Sequence, residues 1–488
     1  MSGWRLWIVA FLLVLVPGQL AVGMRASTTA TVTGDEPFYL LTAQSLVSDG
    51  DLDLRDEYRN RDVEMARFWD GTKPLWKQME PAPDGRLLSP HDPGLSLLIT
   101  PAYALGGLEG VRRFLVVVWA AAMGLAAIGA RRVGAPVWAA LLAATAVGAG
   151  TPGLVYASQV YPEGPAALCI ASGLLLATRQ KSNLNAAGVV VAVVALQWLG
   201  VKYLPYALLI GGIWAWRNRG HRARLLATAA LATIAAIHFT VWHLQTFGGL
   251  TPYATNVVWA GEGTAGILTD HLSQPDCTYR LYGLYLDARF GLFRWLPIAP
   301  LALWGVARAT RAHLATLAIA TTLGTFVSIT IMGYWFPGRM LIAALPSLVP
   351  LLAIGAKRLP KIAATLTAWS LAIAAATAIA AKTRIIRLAV DPWTLNFPLA
   401  PTQLFPDFRE VGPEEVLKSA AWALALAALY RATRPAGAGW RVARRKGPAK
   451  GGTHEVGGSP LKGRILRDRT RHPVEAVTPG RSRAAQDP

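Results

Sequence analysis

The chain has 488 residues, 53% of them hydrophobic, with a mean hydropathy of +0.35 and a net charge of +20. Soluble domains are about 45–50% apolar and lack long uncharged runs, whereas here such runs recur from end to end, each close to the ~20 residues that span a bilayer. This excludes a soluble enzyme. Because the runs are continuous rather than alternating, it also excludes a β-barrel and implies an all-α polytopic membrane protein.

Residues 4–24 form the first spanning segment. Arg5 before an apolar core resembles a signal peptide, but Ala21-Val22-Gly23 is a poor cleavage site and more spans follow, so the expectation for residues 1–24 is an uncleaved anchor. Next comes a long loop, 25–92, with eight Lys/Arg against thirteen Asp/Glu. It opens with Gly34-Asp35-Glu36-Pro37-Phe38-Tyr39. Pro37 suits a first helical turn, and a carboxylate before it is expected to cap the exposed N–H groups. Tyr39, Leu40, Ala43, Leu46 and Val47 recur at helical spacing up to Asp49-Gly50, predicting a short amphipathic helix lying along the membrane surface. Asp49, Asp51 and Asp53 alternate as in a calcium loop, but Leu54 stands where an EF-hand needs glycine.

Residues 93–431 are expected to form the multi-helix membrane domain. Apolar segments are predicted at 94–109, 114–130, 135–150, 162–178, 184–216, 225–245, 291–307, 314–333, 340–356, 362–381 and 416–430. Region 94–216 threads two ways. In one, 94–109 crosses and 184–216 is a single helix broken at Lys202-Tyr203-Leu204-Pro205. In the other, 94–109 is re-entrant and 184–216 crosses twice. Both give about twelve crossings, and the second is preferred because it puts Arg131-Arg132 and 179–181 with the other cytoplasmic cations. Basic clusters within 217–224, 308–311 and 357–361 are expected inside, and loops 246–290, 334–339 and 382–415 outside. Residues 431–488 carry fourteen Lys/Arg against four Asp/Glu. A basic, disordered, cytoplasmic tail is therefore expected over 432–488, touching anionic lipid rather than nucleic acid. Cys169 and Cys277, the two cysteines, have no metal-type spacing and are not expected to pair.

The outer face then gathers Asp35-Glu36, Lys73 and Lys77, His91-Asp92, Asp270-His271, Asp287 and Arg289, and Gly338-Arg339. Lys202 adds a charge at membrane depth, where charge is costly and usually functional. Carboxylates beside cations suit a general base with a phosphate clamp. No nucleotide donor is at hand outside the cell, so an activated lipid phosphate is the expected donor. The rival class is a transporter, a lipid-linked glycan flippase or a polymerase. A transporter would account for the spans and Lys202, but it needs no acid pair after the first helix.

At this point the residues resemble a family. Gly-Asp-Glu-Pro-Phe-Tyr at 34–39, followed by Ala43-Gln44-Ser45-Leu46 and Asp49-Gly50-Asp51, looks like the first loop of the GT-C glycosyltransferases. That superfamily includes the protein O-mannosyltransferases and the aminoarabinose–lipid A transferase. Ser89-Pro90-His91-Asp92-Pro93-Gly94-Leu95 with Pro101-Ala102-Tyr103, Tyr161-Pro162-Glu163, the stretch from Phe290 to Pro297, and Gly338-Arg339-Met340 with Pro346 are similar to further elements of it, in the same order. The resemblance covers about residues 1–360.

The resemblance implies a GT-C-like fold and inverting transfer of a sugar, hexose or pentose, from a polyprenyl-phosphate donor to an extracytoplasmic acceptor, which could be a cell-envelope glycan, a lipid or a protein. It makes Asp35 the general base, with Glu36 assisting it or helping to bind a divalent cation (Mg or Mn), a cofactor left open. Arg339 and Lys202 would hold the donor phosphate. Lys73, His91, Tyr161 and Glu163 would contact substrate. Met340 departs from the bulkier basic or aromatic residue that many relatives carry there. Membrane lipids are the other expected partners, nucleic acid is not one, and the expected location is the plasma membrane.

Overall fold

A computed structural model describes residues 1–59, 67–71, 73–179, 182–258, 269, 277–327, 338–394, 402–408, 410 and 412–433. The basic tail beyond 433 and Asp270-His271 lie outside the described residues. Those that are described form an all-α membrane protein with no strand, only isolated bridges such as Asp53 to Leu88.

Helix α1 spans Gly3–Ala21 and α2 spans Glu36–Ser48. The expected amphipathic character of α2 is not what forms. Every residue from Glu36 to Ser45 is buried, so over these residues the helix has no exposed face. The loop's own His91 and Trp76 pack on Phe38 and Tyr39 from one side, and Ser96 Oγ donates to the Tyr39 carbonyl from another (3.0 Å). The rejected calcium loop proves structural. Asp51 Oδ1 accepts from Ser45 Oγ and the Asp53 N–H, and Asp53 Oδ1 accepts from the Leu87 N–H.

Helix α3, Gly94–Arg132, joins the two segments expected at 94–109 and 114–130 across a kink at Gly106 and Gly107. Its first arm holds about twelve residues, roughly 18 Å, which falls short of a ~30 Å hydrocarbon core. The chain then doubles back, since a Cβ added at Gly110 would lie 2.5 Å from the Ala102 carbonyl oxygen. Helices α4 (Val137–Ala149) and α5 (Glu163–Ala177) follow. Next, α6 (Asn183–Leu199) and α7 (Leu204–Asn218) form an antiparallel hairpin around the 3-10 turn Val201–Tyr203. The start of α6 lies beside that of α8, Arg222–Phe247, because Arg224 Nε donates to Asn183 Oδ1 at 3.1 Å. Short first arm and hairpin are the features of the second threading.

The apolar run 291–307 does not form the expected spanning helix. It gives a short helix, Leu292–Trp295, and a 3-10 turn, Ala299–Gly305. Pro297 and Pro300 lack the N–H groups that a continuous helix would use. This turn packs with close backbone contact on α10, Leu345–Arg358, reached after α9, Arg311–Thr322. Glycines permit that contact. A Cβ on Gly305 would lie 2.4 Å from the Leu351 backbone, and one on Gly355 would lie 2.2 Å from the Leu301 oxygen. Helices α11 (Pro360–Lys382) and α12 (Pro413–Thr433) complete the described chain. Among the described residues, α1, α3, α8 and α11 are long and apolar enough to cross a membrane.

Candidate functional site

Four separate elements deliver one charged cluster. Asp35 precedes α2, Glu163 is the first residue of α5, and Lys202 lies in the turn of the α6–α7 hairpin. Arg339 opens the short helix Arg339–Ile342. Gly338, at φ 88°, takes the left-handed conformation that aims this last element, and Pro152 packs where its Cβ would be. Residues 328–337, including the aromatic approach Trp335-Phe336, lie outside the described residues.

Arg339 is the hub. Its Nε donates to Glu163 Oε1 (2.9 Å), its Nη2 donates to Asp35 Oδ2 (2.7 Å), and its guanidinium lies over the Tyr161 ring at 4.3 Å. Lys202 Nζ donates to the same Glu163 Oε1 (2.8 Å). Tyr161 Oη donates to the Thr33 carbonyl, which ties α5 to the loop before α2. His91 completes the group, with Nε2 at 4.0 Å from Asp35 Oδ1 and donating to Gln78 Oε1 at 2.9 Å. Two acids thus face two fixed cations. Such charges are retained at this depth only when paired and hydrogen-bonded.

The electrostatics follow from this geometry. Burial pushes the Asp35 carboxyl up, but the Arg339 charge, with His91, the Arg339 hydrogen bond and Lys202, outweighs it and holds the group at about 2. Burial lowers the His91 imidazole, and Asp35 only partly offsets this. For Glu36 burial dominates and raises the carboxyl, against the Arg112 charge and two backbone N–H donors.

Asp35 and Glu36, adjacent in sequence, serve different partners. The expected helix cap by Asp35 is absent, because its backbone is already helical (φ −85°, ψ −15°) and its carboxylate turns to Arg339. Glu36, fully buried, accepts from the Thr33 N–H (3.1 Å) and the Val160 N–H (3.0 Å), with Arg112 Nη2 at 3.8 Å. Arg112 also donates to the Met24 and Thr31 carbonyls. Glu36 is therefore a fixture of the loop. The pair is not arranged as joint ligands of a cation, and no group of three His, Cys, Asp or Glu suited to a metal occurs among the described residues.

Of the expected site residues, Asp35, His91, Tyr161, Glu163, Lys202 and Arg339 come together. Lys73 does not join them. It is exposed, and its carbonyl rather than its ammonium is engaged, by Trp69 Nε1. Asp287 and Arg289 also serve structure. Asp287 accepts the N–H groups of Arg289, Phe290 and Phe408, and Arg289 pairs with Asp407 and Glu410. His243 is packed and hydrogen-bonded, with Nδ1 on the Phe239 carbonyl and Nε2 at 3.4 Å from Asp92. Two residues escaped the sequence reading. Arg112 sits at the edge of an apolar run and reads as a flanking charge. Tyr203, beside Lys202, gives no pattern of its own.

Glu163, Lys202, Tyr203 and Arg339 form the polar wall of a small pocket, whose other wall is Tyr206, Leu323, Met340 and Ala343.

No family model matches the chain, and no curated protein does. Among solved structures, the crystal structure of ArnT from Cupriavidus metallidurans bound to undecaprenyl phosphate is similar. Identity is 19% and the TM-score 0.45, over 87% of this chain and 71% of that one. A likeness at this level carries neither fold nor function, and both rest on the residues above.

Proposed function

We propose that this protein is an integral membrane glycosyltransferase with a GT-C-like architecture. It moves a sugar from a polyprenyl-phosphate donor to an acceptor outside the cytoplasm, with inversion at the anomeric carbon. The observation that carries the reading is the single Arg339 side chain shared between Asp35 and Glu163, with Lys202 alongside.

Arg339 and Lys202 hold the phosphate, the guanidinium through parallel N–H donors and the lysine as a point charge. The acceptor oxygen attacks the anomeric carbon from the face opposite the phosphate, and its proton passes to Asp35. The C–O bond to phosphate breaks with its electron pair going to the phosphate, which leaves as polyprenyl phosphate. At about 2, the unliganded Asp35 is a weak base. Once the phosphate takes over the guanidinium, the carboxylate loses its main partner and its basicity rises toward the useful range. Asp35 acts here as a base rather than as a cation ligand, since its carboxylate faces Arg339. The acidic loop and the active site are placed outside and the basic tail inside, by the charge asymmetry of the sequence.

The test is direct. Purified protein is incubated with a radiolabelled polyprenyl-phosphate sugar and membrane lipid extract. Label moving into a new product, and failing to move with Asp35→Asn, supports the reading. Label that crosses vesicles unchanged indicates a transporter instead.

A further inference from the structure

Glu163 uses its two carboxylate oxygens unequally. Oε1 takes both Lys202 Nζ (2.8 Å) and Arg339 Nε (2.9 Å), whereas Oε2 is buried and has no hydrogen-bond partner among the described residues. The Tyr203 hydroxyl is in the same condition. Glu163 is 2% exposed and Tyr203 3%, and both line the pocket that holds the two cations. Native structures keep few buried polar atoms unpaired, and each one kept has a reason, such as strain, a catalytic role, or a water, ion or ligand that completes it.

The chemistry of the missing partner is constrained. An ionised carboxylate only accepts, so Oε2 calls for a donor O–H or N–H. A phosphate diester has none. The phosphate is therefore not the partner; a water supplies such a donor, and so does a group attached close to the phosphate on the lipid. A tyrosine hydroxyl both donates and accepts, so one ligand hydroxyl could donate to Glu163 and accept from Tyr203. Hydroxyls next to a phosphate, in a pocket with an apolar wall, are what a lipid-linked sugar presents.

We propose that Glu163 Oε2 and Tyr203 Oη form a sugar-reading subsite, which takes a hydroxyl or amino group of the sugar on the donor phosphate. The proposal rests on the lipid-phosphate reading above and adds the groups that recognise the sugar. The Tyr203 ring is held independently of its hydroxyl, with the Lys202 ammonium 5.2 Å above its centroid and Tyr206 packed beside it. Tyr203→Phe therefore removes one oxygen and leaves the ring in place.

The experiment titrates the detergent-purified full chain with undecaprenyl phosphate and with its phosphomannose, phosphoglucose and phosphoarabinose counterparts. Tyr203→Phe should weaken the tightest sugar-bearing lipid about three- to tenfold, the equivalent of one neutral hydrogen bond, and bare undecaprenyl phosphate less than twofold. Deoxy counterparts of the tightest sugar-bearing lipid, titrated against the wild-type protein, give the second readout if the variant does not fold, and removal of the hydroxyl that is read should cost about the same three- to tenfold. Equal loss on bare and sugar-bearing lipids, no loss on either, or wild-type protein that binds only the bare lipid overturns the subsite and leaves the lipid-phosphate reading standing. Wild-type protein that binds no lipid phosphate removes both.

Discussion

Arg339 Nη2 lies 2.7 Å from Asp35 Oδ2, joining two residues 304 positions apart in the chain. The contact ties the start of α2 to the short helix Arg339–Ile342. It also makes the candidate base and the candidate phosphate ligand partners before any substrate arrives.

Asp35→Asn should cost about 10²–10⁴ in transfer rate, the usual loss for a missing general base. Asparagine keeps the size of the side chain, so expression and membrane insertion should be unchanged. Turnover within threefold of wild type would remove Asp35 from the mechanism.

Arg339→Lys should raise the apparent donor constant by roughly ten- to a hundredfold, from a lost charge-assisted bond of about 1.5–3 kcal/mol, and leave acceptor saturation nearly alone. Arg339 reaches Asp35 and Glu163 from separate nitrogens, a fork that a lysine cannot copy. Separate donor and acceptor titrations decide the point, and an unchanged donor constant would leave Arg339 as a helix anchor.

The pH dependence has a definite sign. Asp35 works deprotonated, and in the free protein its carboxyl is held at about 2. Activity governed by the free enzyme, kcat/KM, should therefore show no acid limb from Asp35 down to about pH 4. In the donor complex the carboxyl rises, so the acid limb of kcat should lie at higher pH than that of kcat/KM. Stability follows the same logic. A depressed native value means the ion pair stabilises fully above the ordinary carboxylate range, and this is lost as pH falls toward about 2. Coincident acid limbs for the two rate constants would contradict the displacement.

Arg112→Ala should damage folding rather than chemistry. The guanidinium is buried, stands 3.8 Å from a fully buried Glu36 and donates to the Met24 and Thr31 carbonyls. Removing one partner of a buried pair costs on the order of 3–5 kcal/mol. Thermal unfolding in detergent should show a large drop, and Arg112→Ala combined with Glu36→Gln should recover part of it. A normal melting temperature with lost activity would instead place Arg112 in the reaction.

Orientation is tested with cysteines at Ser48 and Ser459 of a variant lacking Cys169 and Cys277, probed in whole cells by an impermeant thiol reagent. Residue 48, at the exposed end of α2, should label, and residue 459 should not. The reverse pattern would overturn the donor argument, which depends on the site facing out.

The sequence by itself determined the class of protein, the long acidic first loop and Asp35 as the residue to watch. Each of these is a one-dimensional property: run length, charge balance, or a proline after an acid. Lys202 was also legible, since a charge inside an apolar run demands a partner. The nature of that partner was not. The prolines at 297 and 300 were readable as well, yet the hydropathy around them outweighed the signal and suggested a span that does not form. Only the tertiary structure decided that α2 is buried on every side from Glu36 to Ser45 rather than amphipathic, because burial depends on what packs against a helix. It also separated Asp35 from Glu36, sending one to Arg339 and the other to Arg112, and it left Lys73 on the surface. The contacts that make the site join positions 39 to 304 residues apart. Side chains so distant meet only through the packing of whole helices, and no local pattern in the chain encodes that packing.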